Sequence, residues 1–202
     1  YEAPDDLFDN HRYEKGGLVL HMLRKYLGDE AFFTALNEYL SKFAFKSAEI
    51  HDLRMVFEKV TGEDLNWFFN QWWMSPGHPI LNVTTKYNEV TKSLDVTFIQ
   101  NQKKVYEEAP IFNLPINIEI YTADSVIVNK VWVNQKKKVF TFFLENAPIA
   151  INVDPGKYLL GEINLQQSAE AFAVVFEKTP NLLDKISILD ALKDKQAEEA
   201  VK

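Results

Sequence analysis

The sequence has no cysteine, which removes disulfides, thiolate nucleophiles and Cys-ligated zinc from consideration and leaves the cellular compartment unspecified. It has no run approaching the ~18 consecutive apolar residues that a membrane-crossing helix requires, so no membrane span is expected. Excess positive charge is also missing. Twenty-two basic residues stand against 29 acidic ones, for a net charge of −7. The longest basic cluster, Lys136-Lys137-Lys138, falls where a hairpin turn is expected and reads as a solvated turn, so nucleic acid is not an expected partner. The opening Tyr1-Glu2-Ala3-Pro4-Asp5-Asp6 is acidic and has neither a basic n-region nor an apolar h-region, unlike a signal peptide. It has no initiating methionine, which suggests an excised or processed chain.

What is present is ordinary for a globular protein: 47% apolar and 25% charged residues in 202 positions. That length accommodates one large domain or two small ones with a real core. Up to about residue 76 the hydrophobic period is helical. Leu18, Leu20, Met22, Leu23 and Leu27 crowd one face, and Gly28 is a stop signal. Asp29 is the expected cap of a second helix bearing Phe32, Phe33, Leu36, Tyr39 and Leu40. Ser47 is the expected cap of a third, with Ile50, Leu53, Val56, Phe57 and Val60, closed by Gly62. Asp64 then caps an aromatic helix from Leu65 to Trp73.

Ser75-Pro76-Gly77-His78-Pro79 cannot continue a helix and reads as an interdomain connection. Beyond it the period becomes two. Leu81, Val83 and Thr85 form one strand and Leu94, Val96 and Phe98 the next, with a turn over Asn88 to Ser93. Further strands are expected at 116–121, 126–133, 139–144 and 149–153, together an antiparallel sandwich. Asp154-Pro155-Gly156 closes this region. Two helices follow, the first with Ala169, Phe172, Ala173, Val175 and Phe176. In the second, Leu182, Leu183, Ile186, Ile188 and Leu189 are expected to face inward. The charged tail from Asp190 to Lys202 stops in what reads as helix, as if cut. The pair suits the opening of a helical solenoid.

Within this frame one segment stands out, Tyr13-Glu14-Lys15-Gly16-Gly17 leading into Leu20-His21-Met22-Leu23-Arg24. It resembles the Y-x-K-G segment of the M1 (gluzincin) zinc aminopeptidases, the family of aminopeptidase N and leukotriene A4 hydrolase. The resemblance continues in order through Leu27-Gly28, Asp52-Leu53, Thr61-Gly62-x-Asp64-Leu65, Phe69-x-Gln71-Trp72, Gly77-His78-Pro79 and Asn152-Val153-Asp154-Pro155. It implies an α+β multidomain organisation. Residues 1–76 would be the helical end of a thermolysin-like catalytic domain, 77–158 a β-sandwich domain, and 159–202 the first helices of a C-terminal helical domain. It also implies that the Tyr13 phenol donates a hydrogen bond to the tetrahedral intermediate of peptide hydrolysis.

The family's zinc motif is not in the sequence. H-E-x-x-H places two imidazoles on one helix face and a glutamate between them as general base. His11, His21, His51 and His78 include no pair three or four apart, and the family's G-x-M-E-N segment is also absent. Zinc is therefore expected in a full-length parent and not on this chain, which alone should not hydrolyse peptides.

Other candidates have plainer readings. His21 lies beside the apolar face of the first helix, as a core imidazole would. His78, between Gly77 and Pro79, suits a hydrogen-bonded junction. Glu14, Glu58 and Glu63 read as solvated carboxylates on amphipathic helices. Trp67, Phe68, Phe69, Trp72 and Trp73 read as packing, since each such ring buries ~150–250 Å². Lys15 and Gly16 read as positioning Tyr13, the glycine by permitting a close helix approach.

The expected function is thus part of a zinc aminopeptidase acting on peptide substrates, with the epoxide-hydrolysing branch of the family left open. The competing expectation is a non-catalytic scaffold of the same fold. Weak self-association of the isolated chain is expected from apolar surface left uncovered.

Overall fold

The computed structural model of the chain describes residues 11–103 and 110–200, with side chains described over 13–103 and 110–193. The readings made on Tyr1 to Asp6, on the His11 side chain and on the end of the charged tail lie outside those residues. The chain is mixed α+β and divides into two compact units, Tyr1–Gly77 and His78–Lys202.

In the first unit a π-helical turn, His11–Lys15, runs directly into α1, Gly16–Leu27, followed by α2, Asp29–Lys42, and α3, Ile50–Thr61. A short α4, Asn66–Phe69, passes into a second π turn, Asn70–Met74. The buried stripes are narrower than the sequence pattern suggests. They comprise Val19, Met22 and Leu23 on α1, Phe32 and Ala35 on α2, and Leu53, Val56 and Phe57 on α3. Leu18, Phe33 and Leu40, expected on the inner faces, are exposed.

Helix ends are set partly by residues other than those expected. Gly62 adopts φ 72°, ψ 5°, the left-handed geometry that closes α3 by its N–H donating to the Glu58 carbonyl. Asp29 does not cap α2. Gly28 occupies that position, and the Asp29 carboxylate is drawn instead to Arg24, at 2.6 and 2.9 Å. Ser47 does not cap α3 either. A capping box of Glu49 and Asp52 does so, with the Glu49 N–H donating to Asp52 Oδ2 at 2.9 Å. The box satisfies two orphan donors at once, which a single serine two residues upstream cannot. Asp64 does hold the start of α4, accepting from the Asn66 backbone and side-chain amides at 2.9 and 2.8 Å.

The second unit contains two sheets. β1 (Ile80–Asn88), β2 (Ser93–Gln100), β5 (Lys137–Phe143) and β7 (Glu162–Leu165) form one, in the order β5-β2-β1-β7. β3 (Leu114–Tyr121), β4 (Val126–Val133) and β6 (Ala150–Val153) form the other, in the order β4-β3-β6. Period-2 patterning does its work here. Leu81, Val83, Leu94, Val96, Phe98, Ile116, Ile118, Ile120, Val133 and Val153 are essentially inaccessible, alternating with more exposed neighbours except at Ser93, Tyr121, Asn152 and Asp154, which are also buried. Gln100 ties the sheets together from inside. Its side-chain amide donates to the carbonyls of Phe112 and, across on β4, Val133, and its oxygen accepts the Phe112 N–H.

Two topological expectations are corrected. The sandwich is not wholly antiparallel: β7, unforeseen as a strand, pairs parallel with β1 in the register Ile80 opposite Glu162 to Val83 opposite Leu165. The Lys136–Lys138 segment is not a hairpin turn. β4 and β5 belong to different sheets, so the chain crosses between them there, and Lys137 and Lys138 open β5 opposite Ile99 and Phe98.

Helices α5 (Ala169–Lys178) and α6 (Leu182–Ala200) complete this unit. Ser168 caps α5, its hydroxyl accepting the Ala171 N–H at 3.2 Å. The inward face expected on α6 is largely outward. Leu182, Leu183, Ile186 and Leu189 are 46–70% exposed, and of the five expected residues Ile188 alone is buried.

Candidate functional site

Tyr13 lies on the π turn immediately before α1 and is 67% exposed. The turn continues into α1 without a break in helical dihedrals, since Lys15 at the junction has φ −62°, ψ −47°. The phenol is thereby carried on the end of a regular helix and held outside the core of Val19, Met22 and Leu23. A donor in that setting can reach a reacting group brought to it, which a ring sealed in the interior cannot. Lys15 and Gly16 are half-buried. A Cβ built on Gly16 or Gly17 would meet nothing within 4 Å, so no neighbouring helix closes on them among the described residues.

The other sequence candidates are distributed among structural roles. Glu58 is not a free carboxylate. It receives Arg54 at 2.7–2.8 Å and the Leu65 N–H at 3.0 Å, fixing the chain between α3 and α4. Glu63 accepts the Tyr26 hydroxyl at 2.8 Å. Burial and that carboxylate together push the Tyr26 phenol up to about 12, so it remains a neutral donor. Its ring meets Trp67 edge-on at 5.6 Å. Glu14 and His51 are exposed.

His21, on α1, is held below the usual imidazole value by partial burial and by the nearby Lys25 and Arg24. It is therefore neutral around pH 7, consistent with a packed imidazole. His78 Nε2 lies 3.2 Å from Glu162 Oε1, joining the entry of β1 to its parallel partner β7. The aromatic cluster is core, as its composition suggests. Phe68, Phe69 and Trp72 are at most 2% exposed, and Phe69 stacks on Trp73 at 4.6 Å. Among the described residues there is no group of three or more His, Asp or Glu that could hold a metal ion.

A grouping that sequence reading missed lies in the second unit. Asp184 is fully buried, yet accepts from Gly156 N–H, Asn152 Nδ2, Thr179 Oγ1 and Asn181 Nδ2 and pairs with Lys157 at 3.0 Å. Burial alone would raise its pKa. The Lys157 ammonium and the hydrogen bonds outweigh that and hold the carboxyl below the usual range. The sequence signal was only an aspartate in the first turn of a helix, where it passes for a solvated residue favoured by the helix dipole.

No helix among the described residues is long and apolar enough to cross a membrane. Comparison with known proteins finds likenesses to peptidases. The model of the peptidase family M1 domain matches residues 1–72, the stretch that carries Tyr13. Aminopeptidase M1-D of Oryza sativa is 37% identical over 91 residues, covering 45% of this chain and 10% of that protein. Probable aminopeptidase 1 of Sulfurisphaera tokodaii is 24% identical over 194 residues, covering 92% of this chain and 22% of its own length. In fold, the chain matches the crystal structure of Legionella pneumophila aminopeptidase A in complex with aspartic acid. The TM-score is 0.78 at 20% identity, over 93% of this chain and 22% of that one. The chain thus spans between about a tenth and about a fifth of the length of these relatives. Its first 72 residues thus match the peptidase M1 domain, and a weaker likeness to aminopeptidases runs on through the sandwich.

Proposed function

We propose that this chain is part of a zinc-dependent aminopeptidase that removes N-terminal residues from peptides, and that Tyr13 is its contribution to the chemistry. The observation that carries the reading is the exposed phenol at the start of α1, within the stretch matched by the M1 peptidase model. Zinc, the water-activating base and the amine-binding carboxylates would come from parts of the protein outside this chain. The chain alone would then be inactive. When bound there, zinc would polarise the scissile carbonyl and the attacking water. The phenol of Tyr13 would donate to the oxygen on which negative charge develops as the carbonyl becomes tetrahedral.

The proposed division of labour follows the family. Residues 1–76 are the helical end of the thermolysin-like catalytic domain, 77–158 a β-sandwich domain, and 159–202 the first helices of a C-terminal helical domain. The exposed Phe33, Leu40, Phe45, Met55 and Met74 support weak self-association of the isolated chain, which sedimentation at high concentration would reveal as a mass above the monomer.

The test is Tyr13→Phe in the full-length protein. Deleting a donor used mainly in the transition state should lower kcat by ~10²–10³-fold while KM and zinc content stay nearly constant. Parallel loss of activity and zinc would assign Tyr13 a structural role. Absence of peptidase activity in a full-length protein that binds no zinc would favour the scaffold reading.

A further inference from the structure

Helices α5 and α6 attach to the sandwich through one apolar cluster and one polar cluster, the apolar one flanked by half-buried Leu165, Ala171, Val174, Phe176, Ala191 and Leu192. The buried cluster between them comprises Tyr121, Ala150, Phe172, Val175 and Ile188. Beside it lies a cleft of about 990 Å³, lined in part by Ile151, Leu165, Leu183, Ile186 and Ala191. The rest of the join is polar.

Those groups converge on one buried charge. Asp184, on the first turn of α6, binds the sandwich through the Asn152 side chain of β6 at 3.0 Å and the Gly156 N–H at 2.9 Å. Lys157 reaches Asp184 Oδ1 at 3.0 Å, and its ammonium also donates to Asn152 Oδ1 and to the carbonyls of Val153 and Asp154. Thr179 and Asn181, from the α5–α6 connection, supply the remaining hydrogen bonds to the same carboxylate.

The turn that presents these groups is itself costly. Asp154 and Lys157 have φ of 54° and 52°, the left-handed region that non-glycine residues avoid. Such dihedrals persist where surrounding contacts impose them. Here Lys157 is held by its ammonium and Asp154 by accepting the Leu159 N–H at 2.8 Å. Docked helix and left-handed turn therefore stabilise each other.

We propose that the Asp184–Lys157 cluster is a latch on whose integrity the docking of α5 and α6 depends, so that the helix pair can leave the sandwich as one unit while both sheets stay folded. Opening separates Asp184 from Lys157, Gly156 and Asn152 together, and all of these groups then find water. Proteins open locally in such contiguous units, and a concentrated polar anchor makes the opening all-or-none.

The test is hydrogen exchange on the complete protein, comparing wild type with Asp184→Asn and Lys157→Met. Removing the Lys157 ammonium leaves the fully buried Asp184 carboxylate without its counter-charge, and removing that carboxylate frees the same contacts, which should raise opening by about 10²–10³-fold. The amides of α5, α6, Gly156 and Leu159 should accelerate together by that factor, while those of β1 to β4 change less than about twofold. The double variant should open no more than either single one, because both changes break the same contact. Unchanged exchange in the helices would overturn the proposal. So would equal acceleration in the sheets, or failure of both variants to fold, since either would make the cluster part of the global core.

Discussion

The two units bury apolar surface by different means. The helical unit packs narrow stripes around Phe57, Phe68 and Trp72 and leaves Phe33, Leu40, Phe45, Met55 and Met74 in the open. The sandwich fills its interior with alternating positions from both sheets, most of them at 1% exposure or less. A sheet pair closes on itself, whereas three amphipathic helices and a short aromatic turn cover only part of one another. Both units keep apolar side chains exposed, among them Phe143 and Leu182 in the second, and the helical one carries Tyr13 and the match to the peptidase domain.

The largest effects should come from emptying either core. Phe57→Ala and Phe98→Ala each remove a ring that is 0% exposed and should each cost about 3–5 kcal/mol. Of the four tryptophans, Trp67, Trp72 and Trp73 lie in the helical unit and Trp132 in the sandwich. Denaturation followed by tryptophan fluorescence should therefore move strongly for Phe57→Ala and weakly for Phe98→Ala. Equal shifts would mean that the units unfold as one.

A smaller effect is expected at Gln100. Methionine there keeps the volume but strands the Phe112 N–H and the Val133 carbonyl in the sandwich interior. The loss should be about 1–3 kcal/mol in a denaturant titration followed by circular dichroism. No loss would show that water enters to replace the amide, making the sandwich less closed than the comparison holds. Smaller still, Gly62→Ala forces a side chain into φ 72° at the end of α3 and should cost about 1–2 kcal/mol, confined to the helical unit.

These sites also mark what the sequence made legible. Gly62 ends α3 because a left-handed cap asks for glycine, and the alternation through Leu81, Val83, Leu94, Val96 and Phe98 reads directly as a sheet face. β7 is four residues long, and its partner lies some eighty positions earlier, so neither period nor local pairing marks it. The crossing at Lys136 was hidden for a related reason, since consecutive strands carry no label for the sheet they join. Leu182 to Leu189 had a helical period without the partner that would bury them. Asp184 was hidden because its partners, Asn152, Gly156 and Lys157, are near only once the chain has folded. Tyr13 was singled out by a resemblance to a family segment, and its exposure on a helix end is a property of the fold alone.

The central claim is that this phenol recognises the tetrahedral oxygen and not the substrate. It is tested most directly by inhibitor affinity in the full-length protein. Tyr13→Phe should weaken a phosphinic peptide, whose tetrahedral oxygens imitate the intermediate, by about the same ~10²–10³-fold as kcat/KM, while a free product amino acid binds as before. Equal weakening of both ligands, or of neither, would contradict it.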